Sequence, residues 1–173
     1  MSGTPRVGRA VTAQNGTWNV AGLTYRYRWL RDGRIIPGVS GKSYRLQPAD
    51  AGARVSVQVL VSKAGHAPGA ATSTLTSTVR SAVSKTAVKL NRRSLAPGQQ
   101  LRLAVTVKAT GVTPTGRVDV YYRGKKVRTL TLKKGKASAT FRPTAKGKHT
   151  LKVVYRGTKG VGGSKKAVSI RLR

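Results

Sequence analysis

The sequence predicts an all-β protein made of two β-sandwiches in tandem, and three observations carry that prediction. Apolar and polar residues alternate in short runs, as between positions 55 and 61, and no segment has a helical period. Turn residues recur about every 8–12 positions, a spacing typical of β-sandwiches. The chain has 173 residues, which is enough for two sandwiches of about 85 residues each. We expect one domain over 1–83 and a second over 84–173.

The first half contains four predicted strands. Aromatic residues at alternate positions of the run 23–30 point to one side and predict a core-facing strand, which ends at the Asp32-Gly33 turn. A short strand follows at 43–46. The valines of 55–61 share one face, and such a β-branched run is a strong strand signal. The Thr/Ser-rich stretch 72–79 is predicted as the last strand of this half.

The second half repeats this pattern with different residues. Lys134-Gly135 and Gly124 mark hairpin turns, and Pro97-Gly98 marks another turn. The glycine-rich stretch 157–163 is similar to a phosphate-cradling loop, but no helix follows it, so we expect a flexible loop. Alternating apolar residues predict six strands, at 86–90, 101–108, 118–120, 137–141, 151–155 and 168–172.

The charge of the chain predicts the kind of partner. Lys and Arg number 35 against 3 acidic residues, all aspartates, which gives a formal net charge of +32. Residues 1–83 hold 11 basic and 2 acidic residues, a net +9, and residues 84–173 hold 24 and 1, a net +23. Like charges repel, and a polyanion would relieve that repulsion while releasing its counter-ions. We therefore expect non-specific binding to anionic polymers, with no small-molecule substrate.

The composition does not indicate catalysis, metal binding or a membrane-spanning segment. The chain lacks cysteine, so it can form neither a disulfide nor a cysteine-based zinc site. Its 2 histidines, His66 and His149, fall in different predicted domains. Asp32 and Asp50 are predicted turn residues, and Asp119 is expected to pair with a base across strands. Because clustered ionisable groups and an apolar run of about 20 residues are missing, we predict no enzyme activity, no cofactor and no transmembrane segment.

Aromatic residues that could stack on sugars or bases are predicted to be core residues instead. Tyr27 and Trp29 share the inward face of their strand, which favours packing in the core over stacking on a ligand. Tyr121 and Tyr122 point to opposite faces, so one of them is expected to be exposed beside basic residues. These aromatic residues do not indicate a stacking site.

Several short motifs of the first half occur together: Gly3 to Gly8, Gly16-Thr17-Trp18, Tyr27 to Gly33, Ile36-Pro37-Gly38, Tyr44-Arg45-Leu46 and Ala49 to Gly52. In this combination they resemble a bacterial immunoglobulin-like repeat common on exported actinobacterial proteins, and the resemblance implies that Trp18 is packed. The second half has another set of motifs: Leu95 to Gln99, Pro114 to Val118, Lys136 to Phe141, Gly147 to Leu151 and Tyr155-Arg156-Gly157. This set resembles a different bacterial immunoglobulin-like repeat.

The resemblance implies two tandem immunoglobulin-like sandwiches without a shared catalytic site. Such repeats serve as spacers, adhesive stalks or appended domains on surface proteins and secreted enzymes. It also implies a secreted or cell-surface location, with this chain a monomeric piece of a larger exported protein whose signal peptide is absent. The basic residues at surface positions depart from the family pattern and make an inert spacer a poor explanation.

Three functions fit these observations. The first is a non-catalytic spacer or adhesive module that binds anionic cell-envelope polymers. The second is sequence-independent binding of nucleic acid such as extracellular DNA, and the third is an accessory domain that brings a linked secreted enzyme to its substrate. The diffuse polyanion-binding surface is predicted to consist of Arg102, Lys108, Arg117, Arg123, Lys125, Lys126, Arg128, Lys133, Lys134, Lys136, Arg142, Lys152 and Arg171.

Overall fold

A computed structural model describes all residues from Met1 to Arg173. The chain divides into two compact units, Met1–Ala82 and Val83–Arg173, called unit 1 and unit 2 below. The units consist of strands and turns, and the only helical segment is a 3-10 turn at Pro48–Asp50. The structure contains no helix that is long and apolar enough to cross a membrane.

Unit 1 contains seven strands in two sheets. Strands β1, β2 and β5 form one sheet in that order, and β4, β3, β6 and β7 form the other. Trp29 and the four alternate valines of β6 are buried between the sheets. The strands are β1 (Ser2–Gly3), β2 (Ala10–Thr12), β3 (Thr24–Arg31), β4 (Arg34–Ile35), β5 (Ser43–Arg45), β6 (Val55–Ser62) and β7 (Gly69–Thr72).

Unit 2 contains eight strands in a three-stranded and a five-stranded sheet. The three-stranded sheet has the order β13-β10-β8, and the five-stranded sheet has the order β12-β11-β14-β15-β9. Only β9 pairs in parallel, with β15. The strands are β8 (Ser84–Leu90), β9 (Ser94–Leu95), β10 (Leu101–Ala109), β11 (Arg117–Tyr122), β12 (Lys125–Thr131), β13 (Lys136–Phe141), β14 (Gly147–Tyr155) and β15 (Ser164–Leu172).

The core of unit 2 lies between its two sheets. Strand β10 contributes four buried residues at alternate positions, Leu101 to Val107, and Leu151, Val153 and Tyr155 of β14 are buried opposite them. Because strand side chains alternate between faces, the residues between these core positions must face outward. The strand pattern therefore fixes the cationic surface as well as the core.

Three hairpin turns have the same two-residue conformation. The first residue of each turn has a positive φ although it is not glycine: 46° at Asp32, 51° at Arg123 and 50° at Lys134. A glycine with φ of 74° to 80° follows each of them. This is the backbone of a type I′ turn, whose twist matches that of the flanking strands. The predicted turns at these positions are confirmed, and they aim Arg123 and Lys134 into solvent.

The predicted strand over Thr72–Val79 is wrong. Strand β7 lies earlier, and the following residues run along β6 with mixed bonding. Ser73 donates its backbone N–H to the Val57 carbonyl at 2.9 Å, and Val57 donates its backbone N–H to the Ser73 hydroxyl oxygen at 3.1 Å. Thr76 makes the same two bonds with Val55, at 2.9 and 3.0 Å. Hydroxyl oxygens here replace backbone carbonyls as acceptors, which is how Ser and Thr compete with regular pairing.

The glycine-rich segment after β14 is packed, so the expectation of a flexible loop is also wrong. Thr158 and Val161 exchange backbone hydrogen bonds of 2.9 and 3.1 Å. Val161 is 3% exposed and belongs to the core of unit 2. At Gly157, φ is +81°, and a Cβ would lie 2.8 Å from the Gly163 nitrogen and the Val161 oxygen. Glycine is needed there because two backbone segments meet.

Candidate functional site

All thirteen residues of the predicted polyanion-binding surface are exposed in unit 2. They lie on both sheets and in the hairpin turns. Arg102, Lys108 and Lys136 lie on the outer face of the three-stranded sheet, and Arg117, Lys152 and Arg171 on that of the five-stranded sheet. The others occupy turns, strand β12 or the end of β13: Arg123, Lys125, Lys126, Arg128, Lys133, Lys134 and Arg142.

The outer face of the three-stranded sheet, called the three-strand face below, also carries two lysines that the sequence-based set lacks. Lys85 and Lys89 of β8 are exposed. Lys85 pairs directly with Lys108, and Lys89 pairs with Ala104. The sequence alone does not give the strand register, which brings Lys85 opposite Lys108 although the two residues are far apart in the sequence. Only the alternation Lys-Thr-Ala-Val-Lys at 85–89 could have indicated them, by placing both lysines on the side opposite the core-facing residues.

The outer face of the five-stranded sheet, called the five-strand face, combines cations with a half-buried tyrosine. Lys148 of β14 pairs directly with Arg171 of β15. Lys152 places its Nζ 6.0 Å from the centre of the Tyr121 ring, within reach of a cation–π interaction. Tyr122 points the other way and packs against Phe141 and His149, with ring centres 6.0 and 5.3 Å apart. Tyr121 is therefore the more outward of the two tyrosines.

The one acidic residue of unit 2 is neutralised internally. Asp119 is 5% exposed, and Arg156 holds it with two bonds, Nε to Oδ2 at 2.7 Å and Nη2 to Oδ1 at 2.9 Å. The Thr129 hydroxyl donates to Oδ1 at 2.7 Å. The Arg156 hydrogen bonds, helped by Thr129, lower the pKa of Asp119 to about 2 against the cost of burial. The expectation that Asp119 pairs with a base is confirmed.

The carboxylates of unit 1 are also bound within the protein. Asp50 is fully buried and accepts bonds from Arg31 Nε at 2.6 Å, the Tyr44 hydroxyl at 2.8 Å and the Gln47 backbone N–H at 2.6 Å. Only the last is the local turn bond that the sequence predicts. Burial, together with the bond to Asp50, raises the pKa of Tyr44 to about 12. Asp32 accepts a bond of 2.8 Å from the Arg54 backbone N–H. Two of the three acidic side chains are thus withdrawn from the surface.

Of the three aromatic residues predicted as core in unit 1, Trp29 is buried, whereas Tyr27 and Trp18 are only half-buried. Trp29 has no exposed surface, and its Nε1 donates to the Gly41 carbonyl at 2.8 Å. Tyr27 is half-buried and donates its hydroxyl to Asn15 Oδ1 at 2.8 Å. Trp18 donates to the Asn15 carbonyl at 2.7 Å and lies against Gly69. Because their polar atoms are bound locally, these rings serve packing.

The second unit matches a known domain family. Residues 88–172 match the family model described as bacterial Ig-like domain (group 3). This match supports an Ig-like repeat type there. An actinobacterial origin and a second, different repeat in the first half stay predictions. The all-β fold and this match together support a non-catalytic Ig-like module.

Comparisons with other proteins give only distant likenesses. No curated protein sequence matches the chain. Among solved structures, the amphioxus IgVJ-C2 molecule is similar with 12% identity and a TM-score of 0.43, covering 96% of this chain and 98% of that one. The fibronectin(III)-like modules of CbhA from Clostridium thermocellum are similar with 13% identity and a TM-score of 0.42, covering 97% of this chain and 87% of that one.

Proposed function

We propose that this chain is a highly cationic Ig-like module of an exported protein, with two domains that correspond to units 1 and 2. It acts as a spacer or adhesive segment at the cell surface and binds anionic cell-envelope polymers through charge. One observation carries the proposal: unit 2 exposes cations on both sheets, while its one carboxylate is buried against Arg156. The outward electrostatic field of this unit is therefore positive on every face.

The distribution of these cations favours a long, diffuse partner over a small ligand. Cations lie on two sheets and in two hairpin turns, so no single pocket collects them. Electrostatic attraction of this kind needs many weak contacts along a polymer, and each contact releases a counter-ion. Acidic residues would keep the protein soluble at least as well as basic ones, so solubility alone does not explain the sign of the charge.

Binding measured at several salt concentrations tests the proposal. The full chain is titrated with a teichoic-acid-like polymer, with duplex DNA and with a neutral glycan of similar length. We expect tight binding to the anionic envelope polymer at low salt, and a log–log salt slope of roughly −5 to −9 for about 6–10 neutralised phosphates. The neutral glycan serves as the control and should not bind.

Three results would contradict the proposal. Salt-insensitive binding to the neutral glycan would show that charge is not the basis of recognition. Passage through an immobilised heparin column without retention in dilute buffer would show that the cations do not capture polyanions. Much tighter binding to duplex DNA than to the envelope polymer would replace the proposed partner with nucleic acid, which is held through phosphates without base reading.

A further inference from the structure

Strand β3 of unit 1 is paired along only part of one edge. On one side, β6 pairs with β3 over its whole length. On the other side, β4 pairs only with Leu30 and Arg31, and Ile36 donates its backbone N–H to the Trp29 carbonyl at 2.8 Å. Pro37 follows, and it has no N–H to continue this ladder. The side of β3 that faces away from β6 is therefore unpaired over residues 24–28, here called the open edge.

The backbone groups on the open edge belong to Tyr25 and Tyr27. In a strand, the N–H and C=O of one residue point to the same edge, and those of the next residue point to the other. Because the Trp29 carbonyl points toward β4, the backbone groups of Tyr27 and Tyr25 point the same way, whereas those of Arg26 and Arg28 point to β6. The open edge thus offers two donors and two acceptors, in pairs about 7 Å apart along the strand, which is the template for another strand.

A cleft lies beside the open edge. It has a volume of about 620 Å³ and is lined by residues 25–28 of β3 on one side, and by residues 35–40 and Lys42 on the other. Sites that bind ligands have volumes of about 300–1,000 Å³. A strand added to β3 would lie about 4.8 Å from it. The chain therefore leaves space for a short extended segment where β4 ends.

The two faces of β3 differ in chemistry along the cleft. Arg26 and Arg28 are exposed on the outer face, and the carboxylates of the chain bind other groups. Lys42 adds a third cation on the opposite side of the cleft. Tyr25 and Tyr27 lie on the inner face and are half-buried. A segment beside β3 would therefore meet positive charge on one of its faces and aromatic rings on the other.

The same arginines disfavour a second copy of this chain in the cleft. Two copies joined through the backbone groups of Tyr25 and Tyr27 would place an arginine of one copy opposite an arginine of the other. Like charges directly opposed across a strand pair destabilise it. The net charge of +32 adds repulsion at longer range. An acidic segment is attracted by both effects.

We propose that the open edge binds an extended, acidic segment of another protein by strand addition. The segment runs antiparallel to β3, as β4 does. Its acidic residues occupy alternate positions opposite Arg26 and Arg28, and the apolar residues between them lie beside Tyr25 and Tyr27 and exchange backbone hydrogen bonds with them. This inference goes beyond the proposed function, which concerns the cations of unit 2, and does not depend on it.

Backbone-methylated peptides test strand addition. The probe is a fluorescent peptide with the core Glu-Val-Glu-Val-Thr between Ser-Gly linkers, and its binding to the full chain is followed by anisotropy at about 150 mM salt. In the antiparallel alignment the valine amides face β3 and the glutamate amides face away. We expect N-methyl groups on both valines to weaken binding at least about tenfold, and N-methyl groups on both glutamates to weaken it less than about threefold.

Two double variants of the full chain test the charge. The cleft variant carries Arg26→Gln and Arg28→Gln, and the control variant carries Arg9→Gln and Arg54→Gln. Both lose two positive charges at exposed arginines of unit 1, and neither Arg9 nor Arg54 lines the cleft. We expect the cleft variant to bind the peptide at least about fivefold more weakly, and the control less than about twofold more weakly.

Amide hydrogen exchange on the unmodified chain does not depend on the variants folding. With the peptide bound, the amides of Tyr25 and Tyr27 should exchange at least about tenfold more slowly. The amides of Arg26 and Arg28 already face β6, so they serve as internal controls and should change little.

Each other outcome would overturn part of the inference. Equal weakening by both methylation patterns, or unchanged exchange at Tyr25 and Tyr27, would overturn strand addition. Weakening by methylated glutamates alone would overturn the antiparallel alignment, and equal loss in both double variants would overturn the acidic partner.

Two arms without the peptide test other occupants. Slower exchange of the same amides at raised protein concentration would make a second copy the occupant, and slower exchange with an anionic envelope polymer would make that polymer the occupant. Absence of peptide binding by the unmodified chain would overturn the inference as a whole, and it would leave the proposed polymer binding by unit 2 untouched.

Discussion

Replacing Asp119 with asparagine should destabilise unit 2 while leaving unit 1 unchanged. Asparagine has nearly the same shape and can still accept the Thr129 hydroxyl bond, but it removes the charge that Arg156 binds at 2.7 and 2.9 Å. The variant therefore removes the ion pair together with one of the two acceptor oxygens that Arg156 uses. It also adds one unit of positive charge to a unit that already carries a large excess.

The magnitude follows from the pKa of Asp119. A decrease from 3.8 to about 2 corresponds to about 2.4 kcal/mol, at 1.36 kcal/mol per pKa unit. Arg156 keeps 46% of its side-chain surface exposed, and solvent screens the interaction accordingly. We therefore expect Asp119→Asn to lower the free energy of unfolding by about 1–2 kcal/mol, or roughly 4–16 °C in the melting temperature of a unit of this size.

The positions of the two tryptophans provide an internal control. Trp18 and Trp29 both belong to unit 1, so tryptophan emission follows the unfolding of that unit, whereas far-UV circular dichroism follows the strands of both units. In Asp119→Asn the dichroism transition should shift to lower temperature and the fluorescence transition should stay in place. Unchanged transitions by both probes would refute the assigned energy of the Asp119–Arg156 pair.

The same ion pair makes the stability of unit 2 depend on pH. Because the folded pKa of Asp119 lies below the unfolded value of 3.8, its contribution is complete above that value and is lost as pH falls toward about 2. The stability difference between the unmodified chain and Asp119→Asn should therefore be constant at neutral pH and shrink between about pH 4 and pH 2. A difference that persists undiminished at pH 2 would show that the effect does not come from the charge.

Three further changes test the fold and its charge. Asp50→Ala should destabilise unit 1 by about 3 kcal/mol, measured by the tryptophan transition in urea, because it leaves Arg31 and Tyr44 without their buried partner. Gly157→Ala should lower the free energy of unfolding by about 2–3 kcal/mol, because the added Cβ would collide with backbone atoms. The control Gly124→Ala, at a glycine with a similar φ but open space around it, should lower the free energy of unfolding by about 1 kcal/mol. Equal losses would contradict the packing of the loop around Gly157. Added salt and then polyphosphate should raise the melting temperature of the unmodified chain, because salt screens its positive charges and polyphosphate binds them. An unchanged melting temperature in both titrations would show that repulsion between the positive charges does not limit stability.

Local patterns in the sequence were sufficient for the strands whose side chains alternate strongly. The period-2 run that forms β6 and the run that forms β10 were predicted because burial of one face imposes that alternation. The Asp119 pair is predicted because Asp119 lies within a strand, where side chains of neighbouring strands meet. Hairpin turns at Asp32-Gly33 and Lys134-Gly135 followed from residue types that tolerate positive φ.

Two predictions failed because they depend on bonds and contacts that residue type alone does not reveal. The stretch after β7 has high β propensity, but Ser73 and Thr76 bond β6 through their hydroxyls, and propensity does not report such bonds. The segment 157–163 contains the glycines typical of a flexible loop, yet those glycines serve a close approach of two backbone segments. A glycine required for mobility and one required for packing are identical in a single sequence.

The candidate site shows the same division between local and non-local information. Alternation tells which lysines face outward, because a strand turns its side chains to one face and then the other. It does not tell which of them meet, since Lys85 and Lys108 are brought together only by the register of β8 against β10. A slip of that register by two residues would preserve the core face and the exposed charges but would place Lys108 opposite Ala87 or beyond the end of β8. The register therefore decides which of the exposed cations lie side by side on this face.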